Sequence, residues 1–261
     1  MSKIERALTK AERDQRKKIR PRSPSNGNEK RVLVLQEGMT EFRESCAEHA
    51  QITEHFRRTA ARLKSFCETA GARDILFTSA ISGEGKTTTA INCAISLCQD
   101  FNLSVCLIDC DLRNPRISNL FSSNNQPGII DLLKGEADIE QVVQSTPIKG
   151  LSLVTSHKAG RLSLPLLNTD RLSRFINDVR NRFDLVIYDS SPVLPVSDAI
   201  VLAKYISAVV LLIEPGRTRR KHVEQIFEQI DRTKFTGFIM NYKKAKPPEN
   251  YGYSKYYDYG Y

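Results

Sequence analysis

Asp74-Ile75-Leu76-Phe77-Thr78-Ser79-Ala80-Ile81-Ser82-Gly83-Glu84-Gly85-Lys86-Thr87-Thr88 is the stretch that decides the fold. Residues 74–79 read as a short buried strand, and 86–99 carry apolar residues at helical spacing. The loop between them matches a phosphate-binding loop, with Ala80 in place of the first Gly. Gly83 and Gly85 allow backbone N–H groups to turn inward around phosphate oxygens, and the following helix presents its positive end. Lys86 supplies a point charge between the β- and γ-phosphates of ATP, and Thr87 offers a hydroxyl to Mg²⁺. The candidate nucleotide-binding residues in the loop are Gly83, Glu84, Gly85, Lys86, Thr87 and Thr88. A Gly-rich turn alone is a weak signal; Gly-Lys-Thr between a strand and a helix is a strong one.

Further strands are expected at 104–109, 151–155, 185–189, 208–213 and 237–240, with helix-like stretches such as 169–182 and 219–232 between them. Their Val, Leu and Ile run without alternation, as a strand covered on both faces requires. Strand–helix alternation of this kind implies an α/β doubly wound fold, a mostly parallel sheet with helices on both faces. Upstream, residues 39–69 lack Pro and Gly and suggest one or two helices. The expected organisation is a basic arm and linker at 1–29, a P-loop domain at 30–242 and a polar tail at 243–261.

Two strand ends carry acids. Val105-Cys106-Leu107-Ile108 runs into Asp109-Cys110-Asp111-Leu112-Arg113, and Leu185-Val186-Ile187-Tyr188 delivers Asp189 ahead of Ser190-Ser191-Pro192. Ligands of open parallel sheets bind at that edge. One carboxylate there can hold Mg²⁺ through water, and another can accept a proton from an attacking hydroxyl. A single Asp at a strand end is also a common helix cap. Three acids beside a phosphate loop favour the chemical reading.

Composition narrows the classes. The longest apolar run, Ala208–Ile213, is far below the roughly 18 residues of a membrane span, and the charged opening is unlike a signal peptide, so a cytoplasmic location is expected. Six cysteines occur without a Cys-x-x-Cys pair, which points to buried thiols. Net charge is +9, but residues 1–22 alone contribute +6. That arm can touch an anionic membrane or an acidic partner, or act as a solvated leader. No nucleic-acid partner is expected.

Six of the nine tyrosines, Tyr251, Tyr253, Tyr256, Tyr257, Tyr259 and Tyr261, fall in the last eleven residues. Aliphatic partners are almost absent there, so a core role fails. Gly252 and Gly260 would let such a segment reach an active site. A phenol with a pKa near 10 needs a base and a polarised phosphate to attack. A sticky or RNA-binding segment is the other reading of a Tyr-rich tail.

The phosphate loop, Ile108-Asp109-x-Asp111-x-Arg113 and Asp189-x-x-Pro192 together resemble the bacterial tyrosine kinases (BY-kinases), over about residues 74–241. The similarity continues through Gly128-Ile129-Ile130-Asp131-Leu132-Leu133-Lys134-Gly135-Glu136 and Ser197-Asp198-Ala199. The opening Met1-Ser2-Lys3-Ile4-Glu5-Arg6-Ala7-Leu8 is similar to autokinases of exosortase-linked exopolysaccharide loci. The resemblance implies that Lys86 and Thr87 bind ATP and Mg²⁺ and that Asp109 takes the tyrosine proton. It implies that Asp111 and Asp189 complete the Mg²⁺ and water network with Thr87, that Arg113 positions the site, and that Asn241 contacts the base. Autophosphorylation of the tail, control of exopolysaccharide polymerisation or export, and an inner-membrane co-polymerase or chain-length protein as activator follow from the same likeness. Peripheral attachment at the inner membrane would then come through that partner.

Some positions depart from the family. The family's Glu-x-x-Arg-x-x-Arg helix used for ring assembly is matched in part by Glu54-His55-Phe56-Arg57-Arg58-Thr59-Ala60-Ala61-Arg62, where Arg57 fits and the last Arg comes one residue late. Glu54, Arg57, Arg58 and Arg62 still lie near one helix face, so a homo-oligomeric ring of the unphosphorylated chain is expected. Ser190-Ser191 and Leu164-Pro165-Leu166-Leu167 also differ, without removing a phosphate or metal ligand. The alternative is a non-kinase ATPase switch of the partition or positioning type. Such ATPases usually carry a lysine early in the loop, where Ile81 and Ser82 stand here. A scaffold that binds ATP without turnover is the third reading.

Overall fold

A computed structural model describes residues 47–121, 126–159 and 163–241. The basic arm, the 30–46 stretch and the tail with its six tyrosines lie outside the described residues, as do the boundaries expected near 30 and 243.

The chain runs α1 (Ala47–Ala70), β1 (Asp74–Ser79), α2 (Lys86–Phe101), β2 (Val105–Cys110), α3 (Ile117–Leu120), α4 (Ile129–Lys134), α5 (Ile139–Val142) and β3 (Gln144–Ser145). It continues through β4 (Leu151–Val154), α6 (Ser163–Leu167), α7 (Asp170–Arg182), β5 (Leu185–Ser190), α8 (Asp198–Tyr205), β6 (Ala208–Ile213), α9 (Arg220–Gln229) and β7 (Phe235–Met240). The sheet order is β3-β4-β2-β5-β1-β6-β7, and every pair is parallel except β3 with β4. The doubly wound, mostly parallel reading of the sequence holds.

Side-chain alternation along each strand feeds two separate cores. Ile75, Phe77, Leu107, Ile187 and Val210 pack with α1 and α2 on one face. Leu76, Ile108, Val186, Tyr188 and Leu211 pack with α4, α7 and α8 on the other. This is why the strands read as continuous apolar runs: both sets are buried, each large side chain contributing about 1.5–3 kcal/mol. α7 shows how a helix is cut to fit. The Thr169 hydroxyl caps the Leu172 N–H, Leu172, Phe175, Ile176 and Val179 face the core, and Arg180 and Arg182 occupy the last turn. Cys67, Cys93, Cys98, Cys106 and Cys110 are free and buried, and burial pushes the Cys93 thiol up to about 12.

The 39–69 region resolves into one helix over its described part, α1, which lies on α2 through Ala60, Leu63 and Cys67. The sequence reading passed over β3, the short helices and α8. Two-residue β3 has no periodicity to find, and α8, at eight residues, buries Ala199, Leu202 and Ala203 without a strong amphipathic pattern. β7 begins at Phe235, two residues ahead of the expected Gly237, across an irregularity in its register with β6.

For function, the decisive fact is register. β5 lies between β1 and β2, with Phe77 opposite Asp189 and Asp109 also opposite Asp189. The sheet thus sets the two carboxylates side by side, next to the strand that feeds the phosphate loop.

Candidate active site

Gly83 and Gly85 both adopt φ of +86°, a left-handed conformation that a side chain would strain. Gly85 is the N-cap of α2, with no side-chain hydrogen bond capping the helix. The first N–H groups of α2 are therefore presented toward the loop, as a phosphate site needs. Lys86 is 7% exposed, and its Nζ donates to Ser79 Oγ at 3.1 Å. Burial holds the Lys86 ammonium below its usual pKa, against the attraction of Asp189, Asp111 and Glu84. Thr87 follows it, half-buried, and Thr88 is exposed.

The Glu84 side chain points away from a phosphate. It is fully buried, accepts from the Ile81 N–H at 3.0 Å and accepts from the Thr218 hydroxyl. Arg217 donates to the Ser82 carbonyl at 3.3 Å, and Asn241 Nδ2 donates to the Glu84 carbonyl at 3.0 Å. Three residues beyond β6 thus hold the loop from outside: Arg217, Thr218 and Asn241. Asn241 lies so close over Gly85 that a Cβ there would sit 2.0 Å from Nδ2.

The three carboxylates differ in what they touch. Asp109 is fully buried and accepts from Asp111 N at 3.1 Å, Arg116 N at 3.0 Å and Ile117 N at 2.9 Å. It therefore organises the turn after β2 as a cap. Burial, reinforced by neighbouring Asp189, still raises its pKa well above the carboxylate range. Asp111 is half-buried; one oxygen accepts from Asn114 N at 3.0 Å, and burial raises it too. Asp189 is 1% exposed, and neither of its oxygens has a hydrogen-bond partner. The Thr87 hydroxyl lies near enough to favour the ionised form without completing such a bond. Burial pushes Asp189 up to about 7.

A buried carboxylate with two bare oxygens beside a threonine hydroxyl is a donor set that fits a hydrated Mg²⁺. Among the described residues no group of three or more His, Cys, Asp or Glu forms a cage. Mg²⁺ in nucleotide sites is commonly held by one or two carboxylates plus water and substrate phosphate.

Comparison with known proteins supplies the rest. The AAA domain family matches residues 72–241. Tyrosine-protein kinase YwqD of Bacillus subtilis is 33% identical over 183 residues, covering 69% of this chain and 77% of that one. Tyrosine-protein kinase CpsD of Streptococcus agalactiae is 33% identical over 181 residues, covering 68% and 77%. The crystal structure of the VpsO kinase domain aligns with a TM-score of 0.65 at 31% identity, covering 76% of this chain and all of that one. The chain belongs to the bacterial tyrosine kinase family.

Within this BY-kinase the fold brings Lys86, Thr87, Asp109, Asp111 and Asp189 to one sheet edge. Arg113 reaches across to a residue that the sequence reading gave no role: its Nε and Nη2 donate to Asp198 at 3.0 and 3.3 Å. Asp198 is fully buried at the start of α8. Thr218 and Arg217 were missed as well, because each acts through tertiary contact from 134 and 135 residues away. In α1, Glu54 pairs with Arg57 and Arg58, and Arg57 also meets Asp100 at 3.3 Å. These arginines thus have partners within their own chain.

The raised carboxylates fix a pH dependence for this BY-kinase without nucleotide or metal. An unfolded Asp titrates near 3.9, whereas Asp109, Asp111 and Asp189 keep their protons to higher pH in the fold. The folded state then binds more protons, so its stability is greatest below about pH 4 from these groups and declines as pH rises through about 7. Asp184 and Asp231, held below the usual range by their hydrogen bonds, act in the opposite sense at lower pH. Thermal midpoints measured in EDTA should fall between pH 5 and 8 by several degrees, and saturating Mg-nucleotide should flatten the slope.

Proposed function

We propose that the chain is an ATP-dependent protein-tyrosine kinase that phosphorylates its own C-terminal tyrosine cluster and thereby regulates exopolysaccharide polymerisation or export. The observation that carries this reading is the convergence of Lys86, Thr87 and the bare Asp189 carboxylate beside Asp109, in a chain whose named relatives are tyrosine kinases.

ATP is the substrate. Its phosphates lie along the Gly83–Thr87 backbone and the α2 N-terminus, and Lys86 turns from Ser79 to the β- and γ-oxygens. Thr87, Asp111 and Asp189 would hold Mg²⁺, directly or through water, and that ion neutralises charge on the phosphates when bound. The family likeness gives Asn241 the contact with the base, and Arg217 and Thr218 steady the loop beneath the phosphates. In its ionised form the Asp109 carboxylate accepts the phenolic proton as the tyrosine oxygen bonds to the γ-phosphorus and the bond to the β-phosphate oxygen breaks, releasing ADP. Arg113, fixed by Asp198, holds its charge beside the transferring group.

The tail tyrosines Tyr251, Tyr253, Tyr256, Tyr257, Tyr259 and Tyr261 serve as acceptors in a neighbouring subunit, and the oligomer loosens as they gain charge. No helix among the described residues is long and apolar enough to cross a membrane. The family likeness and the names of relatives such as tyrosine-protein kinase wzc support activation at the inner membrane by a partner of the polysaccharide co-polymerase or chain-length kind. The partition-type alternative has no comparable support, since the relatives at 33% identity carry kinase names.

The test is incubation of the purified chain with Mg-ATP, followed by mass spectrometry of the C-terminal peptide. Phosphate on the tail is expected, and Lys86→Met should lower its rate by roughly 10²–10³-fold. ATP hydrolysis with a tail left unmodified, even with the membrane activator added, would sink the kinase reading.

A further inference from the structure

The arm between β6 and α9 carries a concentration of positive charge that the catalytic reading leaves unexplained. Residues 214–222 contain Arg217, Arg219, Arg220 and Lys221 against one acid, Glu214. Glu214 is occupied by Arg217 at 2.5 Å. Arg220 reaches Glu224 at 2.9 Å, yet its side chain is 93% exposed. Among the described residues no acidic side chain pairs with Arg219 or Lys221, and both are exposed.

These cations sit where a helix least favours them. Arg219 is the N-cap of α9, Arg220 and Lys221 begin its first turn, and that turn holds no acid. The positive end of the helix repels them, a local conflict that bound negative charge would relieve. The Arg220–Glu224 pair offsets part of that repulsion, whereas Arg219 and Lys221 have no acidic partner among the described residues.

The chain itself supplies a matching anion. β7 ends at Met240, and Asn241 N donates to the Ile213 carbonyl at 2.9 Å, so the tail leaves the fold beside the strand end that feeds this arm. Tyr251 lies ten positions beyond Asn241, a reach of up to about 33 Å. Unmodified, residues 243–261 have four lysines and two acids, a net +2 that the patch repels. Each phosphate adds roughly −1.5 to −2, so modification of the six tyrosines reverses the sign of the tail.

We propose that Arg219, Arg220 and Lys221 form a docking surface for the chain's own phosphorylated tail. Tethering gives the tail a high effective concentration at the patch, and guanidinium groups bind phosphate through paired charge-assisted bonds. The docked tail lies next to Arg217 and Thr218, the residues that hold Ser82 and Glu84 of the phosphate loop. The inference rests on the kinase reading for the origin of the phosphates, but not for the existence of the surface.

Synthetic peptides of residues 243–261, with six phosphotyrosines or none, should be titrated by fluorescence anisotropy against the full chain with its six tail tyrosines changed to Phe. The phosphopeptide is expected to bind at least about tenfold more tightly, and increasingly so as salt is lowered. Arg219→Ala with Arg220→Ala and Lys221→Ala should remove about tenfold of that affinity, with circular dichroism and nucleotide affinity unchanged. Arg219→Lys with Arg220→Lys should retain only part of it, because an ammonium keeps the charge but not the paired guanidinium bonds. Equal affinity for the two peptides, or an unaffected triple variant, overturns the proposal. So does a patch that loses only binding to phosphatidylserine vesicles, which would make it a membrane contact. Because the phosphates are introduced chemically, a chain that proved inactive as a kinase would still pass or fail this test on its own.

Discussion

Asp189→Asn is expected to lower tail phosphorylation by roughly 10²–10³-fold while raising the thermal midpoint of the nucleotide-free protein. Both effects have one source. The Asp189 carboxylate is 1% exposed with two oxygens that no protein group hydrogen-bonds, so without nucleotide and metal its charge would be costly. Burial raises its pKa to about 7, meaning that the fold resists the ionised form that cation binding requires. Removing the charge relieves that penalty and removes the ligand together. Differential scanning fluorimetry at pH 8 in EDTA, beside a phosphorylation assay, would read both. A variant that lost activity and also melted earlier would show that Asp189 acts as a structural acceptor. The trade of stability for function would then be absent.

Asp109→Ala should have the opposite stability signature. Its two oxygens accept three backbone N–H groups from Asp111, Arg116 and Ile117. Deleting them leaves buried donors without partners and unties the turn that carries Asp111 and Arg113 toward the site. A loss of about 2–4 kcal/mol of unfolding free energy is expected, along with activity. Asp111→Ala, by contrast, removes one of two acceptors of Asn114 N, which keeps the carbonyl of residue 111, and should stay within about 1 kcal/mol of the parent, yet lose most of its activity at limiting Mg²⁺. Urea unfolding of the two variants separates the roles. Equal destabilisation would mean that the difference in burial between the two acids does not matter to the fold.

These contrasts mark how far the sequence could be read. The loop 80–87, the strand ends at Asp109 and Asp189, and the sheet class were legible because each depends on local pattern: a Gly-Lys-Thr turn, uninterrupted apolar runs, acids at strand ends. Glu84 shows the limit. Sequence places it inside the phosphate loop and counts it as a ligand candidate, but its side chain is turned inward to Ile81 N and Thr218. No local signal links Glu84 to a threonine 134 residues later. Asp198 is similar, an ordinary first-turn acid of a short helix until Arg113 is seen to reach it from 85 residues away.

The sequence by itself determined the class of fold, the nucleotide loop and the family, because spacing along the chain is enough to specify backbone conformation and burial period. Tertiary structure alone decided which acids are capped and which are bare. β5 had to be inserted between β1 and β2 for Asp109 and Asp189 to meet in one register. Only that pairing, with Asp109 and Asp189 buried and Asp111 half-buried, makes three similar aspartates chemically different. Order within a sheet is set by packing between distant segments, and electrostatics follows order in space.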